Sequence, residues 1–167
     1  MEPEKMRRRT REITDRNEIE EILAGEKICH LSMCDDGQPY VIPMLYVYKD
    51  GYFYFHCAEV GMKLDILDRN EKVCIEVEKT DPDDIVKNVN TPCMWGLPYK
   101  SVVAFGTAEV SDDNDIKPGI MDMLVEKVKP EGYVHSRDKY LEKRMKGSRL
   151  IIAKVTSMTG KKWNGVK

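Results

Sequence analysis

The chain has 167 residues, of which 41% are hydrophobic and 34% charged, and its formal net charge is −2. This length and composition suit one globular domain with its own core, and the slight negative charge argues against nucleic-acid binding. A run of about 18 apolar residues is absent, which argues against a membrane span. The charged first eleven residues lack the apolar segment of a secretory signal, so we expect a cytoplasmic protein.

The cysteines and histidines argue against a disulfide framework and a metal site. There are five cysteines, an odd and widely spaced set without a C-x-x-C pair, and three histidines without an i, i+4 pair. Zinc sites and disulfide-rich domains need closer and more regular spacing. We therefore expect free thiols in a reducing compartment and no bound metal.

Residues 1–14 are predicted to be a charged N-terminal arm, and residues 15–167 a single domain. The domain begins with a short helix, because Asp15 is a favoured N-cap and Glu18 completes a capping box three residues later. Gly25 ends this helix. Its buried face is predicted to consist of Ile19, Ile22 and Leu23.

The rest of the chain alternates predicted strands with two more helices. One helix fits residues 62–69, and apolar residues every four positions predict another that starts near Pro118. A turn cluster at residues 35–39 ends the first strand, and Lys49-Asp50-Gly51 indicates a tight hairpin. The predicted strands are 27–34, 40–48, 52–57, 72–79, 99–110 and 149–156. Their hairpin-linked order favours a small, largely antiparallel barrel with peripheral helices.

Two strands are apolar on both faces, whereas a half-solvated antiparallel strand should alternate apolar and polar residues. These stretches are 41–48 and 52–55. One face can be the barrel core. The other needs cover from the protein's own helices, from a partner subunit or from a ligand, and the sequence does not separate these alternatives.

The junction at residues 55–63 is the strongest local candidate for a binding site. A strand ends, Gly61 follows, and a helix starts with Lys63 in its first turn. Free amides and the positive end of the helix dipole make such a junction a phosphate site. The alternative is a solvated lysine near a helix start, which is more frequent.

Other candidate residues have an ordinary structural explanation beside the functional one. His56 could donate a proton or contact a ligand, or simply be satisfied by backbone groups. Cys57 and Cys93 could be redox-active, or buried and inert. The basic cluster at residues 6–11 could bind phosphate or form a solvated arm. Trp95 and Trp163 could stack on a planar ring or serve packing.

Five segments in a characteristic order resemble one known family. They are RTREITD at 9–15, GQPYVIP at 37–43, YFHCA and GMK within 54–63, YKSVVAFGTA at 99–108, and TGK at 159–161. Together they resemble the pyridoxamine 5′-phosphate oxidase-like FMN-binding split-barrel proteins, with the nitroimidazole-resistance branch as the most similar. The resemblance extends from about Arg7 to Trp163.

The resemblance implies a mostly β fold, a six-stranded antiparallel split barrel, and a homodimer with FMN at the subunit interface. By position, four strand residues would line the isoalloxazine ring, His56 and Cys57 would lie beside the ring or ribityl chain, and Met62 and Lys63 would face the phosphate. Lys100 and Ser101 would approach from a later strand. The four ring-lining residues would be Val41, Ile42, Pro43 and Met44.

The function implied by the resemblance is an FMN-dependent oxidoreductase that acts on a small acceptor, such as a nitroaromatic, with His56 nearest the substrate. A non-catalytic flavin or haem protein and a deazaflavin enzyme are the alternatives. Family members often carry a second basic residue where this chain has Met62. The chain also ends at Lys167 without the arginine- and histidine-rich segment of true pyridoxamine phosphate oxidases, so vitamin B6 oxidation is not expected.

Overall fold

The computed structural model of the protein describes residues 6–81, 83, 95–133 and 147–165. A short 3-10 turn at Arg9–Arg11 precedes eight strands and three α-helices. The strands are β1 Glu12–Ile13, β2 Ile28–Asp35, β3 Gln38–Leu45, β4 Val47–Lys49, β5 Tyr52–Ala58, β6 Lys72–Thr80, β7 Tyr99–Ser111 and β8 Ser148–Trp163. The helices are α1 Arg16–Gly25, α2 Met62–Arg69 and α3 Lys117–Val128.

The strands of the described residues belong to one antiparallel sheet with the order β3-β2-β6-β7-β8-β5-β4, to which β1 is added along β8. The described sheet ends at β3 on one side and at β4 on the other, and β3 also contacts β5. The sheet therefore curls into a barrel that is split beside β3. The mostly β, antiparallel class predicted from the sequence is confirmed.

The described residues form eight strands instead of the predicted six, for two reasons. The predicted strand 40–48 is interrupted at Tyr46, whose buried side chain donates a hydrogen bond to the Leu23 carbonyl over 2.8 Å. The end of the predicted arm also pairs with the sheet, because Glu12 lies opposite Lys161 and Ile13 opposite Gly160. Ile13 is also buried.

Two Asp-Gly turns form hairpins, one where the sequence predicts a hairpin, at residues 49–51, and one within the turn cluster predicted at residues 35–39. Asp36 and Gly37 have φ of 45° and 83°, and Asp50 and Gly51 have φ of 52° and 85°. Two consecutive positive φ angles match the twist of the flanking strands, and Asp-Gly tolerates them. These turns fix the register of β2 with β3 and of β4 with β5.

The three helices cover different parts of the barrel. α1 and α2 contribute buried apolar residues to the main core, together with Phe53 and Phe55 of β5. α3 instead forms a second, smaller cluster with Val47 and Leu150, through Ile120, Met121 and Leu124. None of the described helices is long and apolar enough to cross a membrane.

The two strands that are apolar on both faces are covered differently. Tyr54 of β5 packs against the α3 cluster, so the protein's own helix covers part of the outer face of β5. On β3, however, Val41 is 59% exposed. Cover of the outer face of β3 by a partner subunit or a ligand stays a prediction.

Candidate functional site

The start of α2 has the geometry of an anion site. Its N-cap residue is Gly61, with φ 147° and ψ 158°, and within the described part of the chain no side chain caps this end. The Gly61 carbonyl accepts the amides of Leu64 and Asp65 at 2.8 and 3.3 Å. The amides of Met62 and Lys63 precede the first helical hydrogen bond, where a helix presents N–H groups and partial positive charge to a ligand.

Lys63 adds a full positive charge to this end of α2. A Cβ atom built at Gly61 would lie 3.8 Å from Lys63 Nζ, so the ammonium folds back over the N-cap. The glycine keeps this space open and allows a backbone conformation that side chains rarely adopt. Met62, the neighbouring residue, is 61% exposed.

His56 and Cys57 lie on opposite faces of β5. Tyr52, Tyr54 and His56 are half-buried along its outer face, whereas Cys57 faces the core. His56 is the cross-strand neighbour of Leu150, which α3 covers. Thus His56 lies at the border of the α3-covered patch, with its Nε2 atom shielded from solvent.

The pKa of the Cys57 thiol depends on burial and on the charged groups around this end of β5. Burial raises its pKa, and the positive charges of Lys63 and Arg149 oppose that increase. Its Sγ donates a long hydrogen bond of 3.5 Å to the Arg149 carbonyl. Because the thiol is protonated and buried at neutral pH, it is poorly suited to redox chemistry.

The four predicted ring-lining residues on β3 divide between its two faces. Val41 and Pro43 are exposed, whereas Ile42 and Met44 pack against the core. β3 is an edge strand of the sheet, and an edge strand carries backbone N–H and C=O groups that a ligand can bind. Val41 and Pro43 can therefore reach a ligand with their side chains, whereas those of Ile42 and Met44 are turned towards the core.

Lys100 and Ser101 lie far from the start of α2 within one chain. They are at the beginning of β7, whereas residues 108–110 at its other end line a hollow with α2. Eight residues separate Ser101 from Glu109, which is about 27 Å along an extended strand. Lys100 Nζ is also held 2.8 Å from Glu18 Oε1, and Lys162 Nζ lies 2.7 Å from Glu18 Oε2.

The remaining candidates have structural contacts or lie outside the described residues. The Arg11 guanidinium stacks over the Trp163 ring at 5.2 Å, which ties the basic cluster to β8. Trp95 is half exposed. No cluster of three or more metal-ligating side chains occurs in the described ranges. Cys93 and His135 fall outside those ranges.

One charged group near the site was not predicted from the sequence. Arg149 of β8 lies opposite Cys57 in the sheet, and its Nε and Nη2 bind the two carboxylate oxygens of Asp112 at 2.8 and 2.7 Å. Its place opposite Cys57 follows from the β5–β8 pairing. A lone arginine at the start of a strand carries no local signal of that pairing.

The comparisons with known proteins agree with this fold. The family model described as pyridoxamine 5′-phosphate oxidase matches residues 15–162, and the chain belongs to that family. A curated protein of Rhizobium meliloti is 29% identical over 66 residues, which are 39% of this chain. The match spans 42% of that relative's own length.

Two solved structures resemble the whole barrel. A candidate 5-nitroimidazole antibiotic resistance protein from Bacteroides thetaiotaomicron is 25% identical, with a TM-score of 0.70 over 90% of this chain and 85% of that one. The flavocytochrome Anf3 from Azotobacter vinelandii is 18% identical, with a TM-score of 0.75 over 95% of this chain and 72% of that one. The second likeness concerns the fold alone.

Proposed function

We propose that this protein is an FMN-binding flavoprotein that acts as a homodimeric oxidoreductase on a small acceptor. The observation that carries the proposal is the open start of α2, where Gly61 and Lys63 offer a phosphate site beside β5. Family membership supports a flavin as the ligand. FMN suits the site because its terminal phosphate can bind free amides and an ammonium.

The outer face of β3 fits the ring of the same ligand. Val41 and Met62 are exposed apolar side chains that a flat aromatic ring would remove from water. The edge of β3 adds backbone donors and acceptors for the polar rim of the ring. Ligand sites combine apolar surface with a few placed polar groups in this way.

A second copy of the chain would complete the site. Lys100 and Ser101 are too far along β7 to meet a ligand at the start of α2 of their own chain. The outer faces of β2, β6 and β7 also share an open hollow of about 490 Å³, to which Cys74 and Phe105 contribute. Pairing of two such faces by a two-fold axis would bury this surface and bring Lys100 and Ser101 of one copy towards the α2 of the other.

The reaction would depend on the flavin for electron transfer and on this chain for orientation and access. Bound FMN accepts and donates electrons or hydride. His56 lies at the edge of the outer face and could hold or donate a proton. A nitroaromatic acceptor is supported by the likeness to the Bacteroides protein, and it is the substrate class to test first.

The decisive experiment is an absorption spectrum of freshly purified protein, with the released cofactor identified by mass spectrometry and the particle mass measured in solution. Near-ultraviolet and blue bands, released FMN and a mass of two chains are expected. Release of haem or a deazaflavin would replace FMN as the cofactor. A colourless protein that fails to bind added FMN would reject the proposal.

Turnover separates an enzyme from a binding protein. The FMN-loaded protein should oxidise NADH or NADPH in the presence of a nitroaromatic acceptor, and His56→Gln should slow this turnover without reducing FMN content. Tight FMN without turnover for any donor would indicate a flavin-binding protein that is not an oxidoreductase.

A further inference from the structure

Polar side chains of β2 border the apolar patch that Val41 and Pro43 form on the outer face of β3. In the sheet, Ser32 lies directly opposite Val41, and His30 lies directly opposite Pro43. All four side chains share one face, because the alternate residues of β2 are buried in the core. A planar ligand on Val41 and Pro43 would therefore have His30 at its side.

The imidazole of His30 is oriented by Glu76 of β6. Its Nδ1 atom lies 3.2 Å from Glu76 Oε2, and the two side chains are 47% and 31% exposed. In the sheet, β2 lies between β6 and β3. Because the two nitrogens of an imidazole point to nearly opposite sides of the ring, the bond to Glu76 turns Nε2 away from β6 and towards β3. A carboxylate on Nδ1 also selects the tautomer of the ring.

The start of α2 meets this outer face near the beginning of β3. Pro39 of β3 and Met62 of α2 line one hollow of about 800 Å³, and Pro39 is exposed on the same face as Pro43. Four residues along an extended strand, from Pro39 to Pro43, cover about 13 Å. A ligand with its phosphate at Gly61 could therefore follow the outer face of β3 until its ring reaches His30.

We infer that His30, oriented by Glu76, is the side chain that hydrogen-bonds the polar edge of the flavin ring through Nε2. The inference rests on the proposed FMN function. The hollow of about 400 Å³ beside His30 is also lined by three charged residues, Glu26, Lys27 and Glu78. The carboxylates here would repel a phosphate, whereas the oxidised ring is uncharged, so the ring is the part of FMN that suits this position.

Riboflavin has the ring of FMN but lacks the phosphate, and it therefore separates a ring contact from a phosphate contact. The affinities of the apo protein for FMN and for riboflavin would be measured by flavin fluorescence. The proteins compared are wild type, His30→Leu, His30→Gln, Lys63→Ala and the control Lys154→Leu, which alters an exposed residue of β8. The midpoint potential of bound FMN would be measured by redox titration of the same proteins.

His30→Leu should weaken FMN and riboflavin binding by the same factor, about two- to tenfold, as expected for loss of one hydrogen bond. It should also make the midpoint potential more negative, because a donor beside the ring favours the more electron-rich reduced form. His30→Gln, whose amide nitrogen can take the place of Nε2, should lose less affinity and shift the potential less. Lys63→Ala should weaken FMN binding alone, and Lys154→Leu should change neither affinity.

Unchanged affinities and an unchanged midpoint potential in His30→Leu would overturn the inference and leave His30 and Glu76 as a surface pair. A loss for FMN alone would overturn it too, since it would place His30 at the phosphate. Equal losses in His30→Leu and His30→Gln at an unchanged potential would indicate a structural defect and would also overturn it. In each case a wild-type protein that binds FMN leaves the proposed function intact, whereas a wild-type protein that binds neither flavin would reject that function itself.

Discussion

The first turns of α1 and α2 are two helix starts of the same protein with opposite arrangements. At α1, the side chain of Asp15 accepts the Asn17 amide at 2.9 Å. At α2, Gly61 has no side chain to offer, and no other described residue caps the helix. A backbone amide at the start of α1 is therefore bound by a side chain of the same chain, whereas the first amides of α2 stay available to a ligand.

The difference indicates what each helix start contributes. An N-cap side chain such as Asp15 is worth about 1 kcal/mol of stability, and a glycine at the same position forgoes its hydrogen bond. Gly61 also holds a backbone conformation that is open essentially to glycine alone. α2 thus combines lost stability with a free, positively polarised end, a combination expected where a ligand binds.

Lys63→Ala should produce the largest effect, a loss of FMN affinity at the start of α2, and should leave α1 unchanged. Loss of a charge-assisted contact costs about 1.5–3 kcal/mol, or roughly 10- to 150-fold in FMN affinity. Flavin fluorescence titration of the apo protein measures the FMN affinity. Lys49→Ala, on the exposed end of β4, is the control. FMN affinity within error of wild type for Lys63→Ala would remove Lys63 from the site.

Gly61→Ala should destabilise the protein by about 1–3 kcal/mol, because alanine resists φ 147°. The matched control is Gly25→Ala in the last turn of α1, where a Cβ meets no atom within 4 Å and φ is not positive. This control should be neutral or slightly stabilising. Urea unfolding of both variants gives the comparison, and equal stabilities would show that Gly61 is not constrained as described.

Asp15→Ala should lower the free energy of unfolding by about 1 kcal/mol and leave FMN affinity unchanged. It is the counterpart of Lys63→Ala, which should change affinity with little effect on stability. Chemical unfolding and FMN titration of both variants test whether one substitution changes only stability and the other only affinity. A fall in FMN affinity for Asp15→Ala would show that the two helix starts are coupled.

Much of this framework could be predicted because it depends on neighbours in sequence. The bounds of α2 match the predicted 62–69, and the Asp-Gly turns and the antiparallel class follow from local patterns. The helix predicted near Pro118 is also confirmed, as α3, although Ile116 just before it and Val128 at its end are exposed. Periodicity and turn chemistry are local properties, so one sequence carries them.

The errors arise where distant parts of the chain meet. β8 continues to Trp163, beyond the predicted residue 156, because Lys161 and Lys162 pair with β7. The predicted capping box is also replaced, since both carboxylate oxygens of Glu18 are occupied by Lys100 and Lys162. Arg149 meets Cys57 only through the β5–β8 pairing. The residues next to each of these positions in the sequence do not indicate which distant residue it will pair with.

The smallest expected effect on stability comes from substitution of Glu18 in α1, whose charged and polar groups find their partners within the chain. The Lys100 and Lys162 ammonium groups lower the pKa of Glu18, against a smaller opposing effect of burial. A carboxyl with a lowered folded-state pKa binds fewer protons in the folded than in the unfolded protein near pH 4. Its stabilisation is therefore complete above the usual pKa of about 4.3 and is lost as pH falls through the folded-state value.

Glu18→Gln should therefore flatten the acid limb of the stability curve. It should change the free energy of unfolding at pH 7 by only about 0.2–1 kcal/mol, because both lysine side chains are partly exposed to solvent. Urea unfolding of wild type and variant from pH 3 to pH 7 measures both quantities. Glu20→Gln, whose partner Arg16 lies on the same exposed helix face, is the control and should leave the acid limb nearly unchanged. If the unfolding free energy of Glu18→Gln kept the wild-type dependence on pH, the ion pairs of Glu18 with Lys100 and Lys162 would contribute nothing to stability. The Lys100 ammonium would then be as available to an anion as that of Lys63.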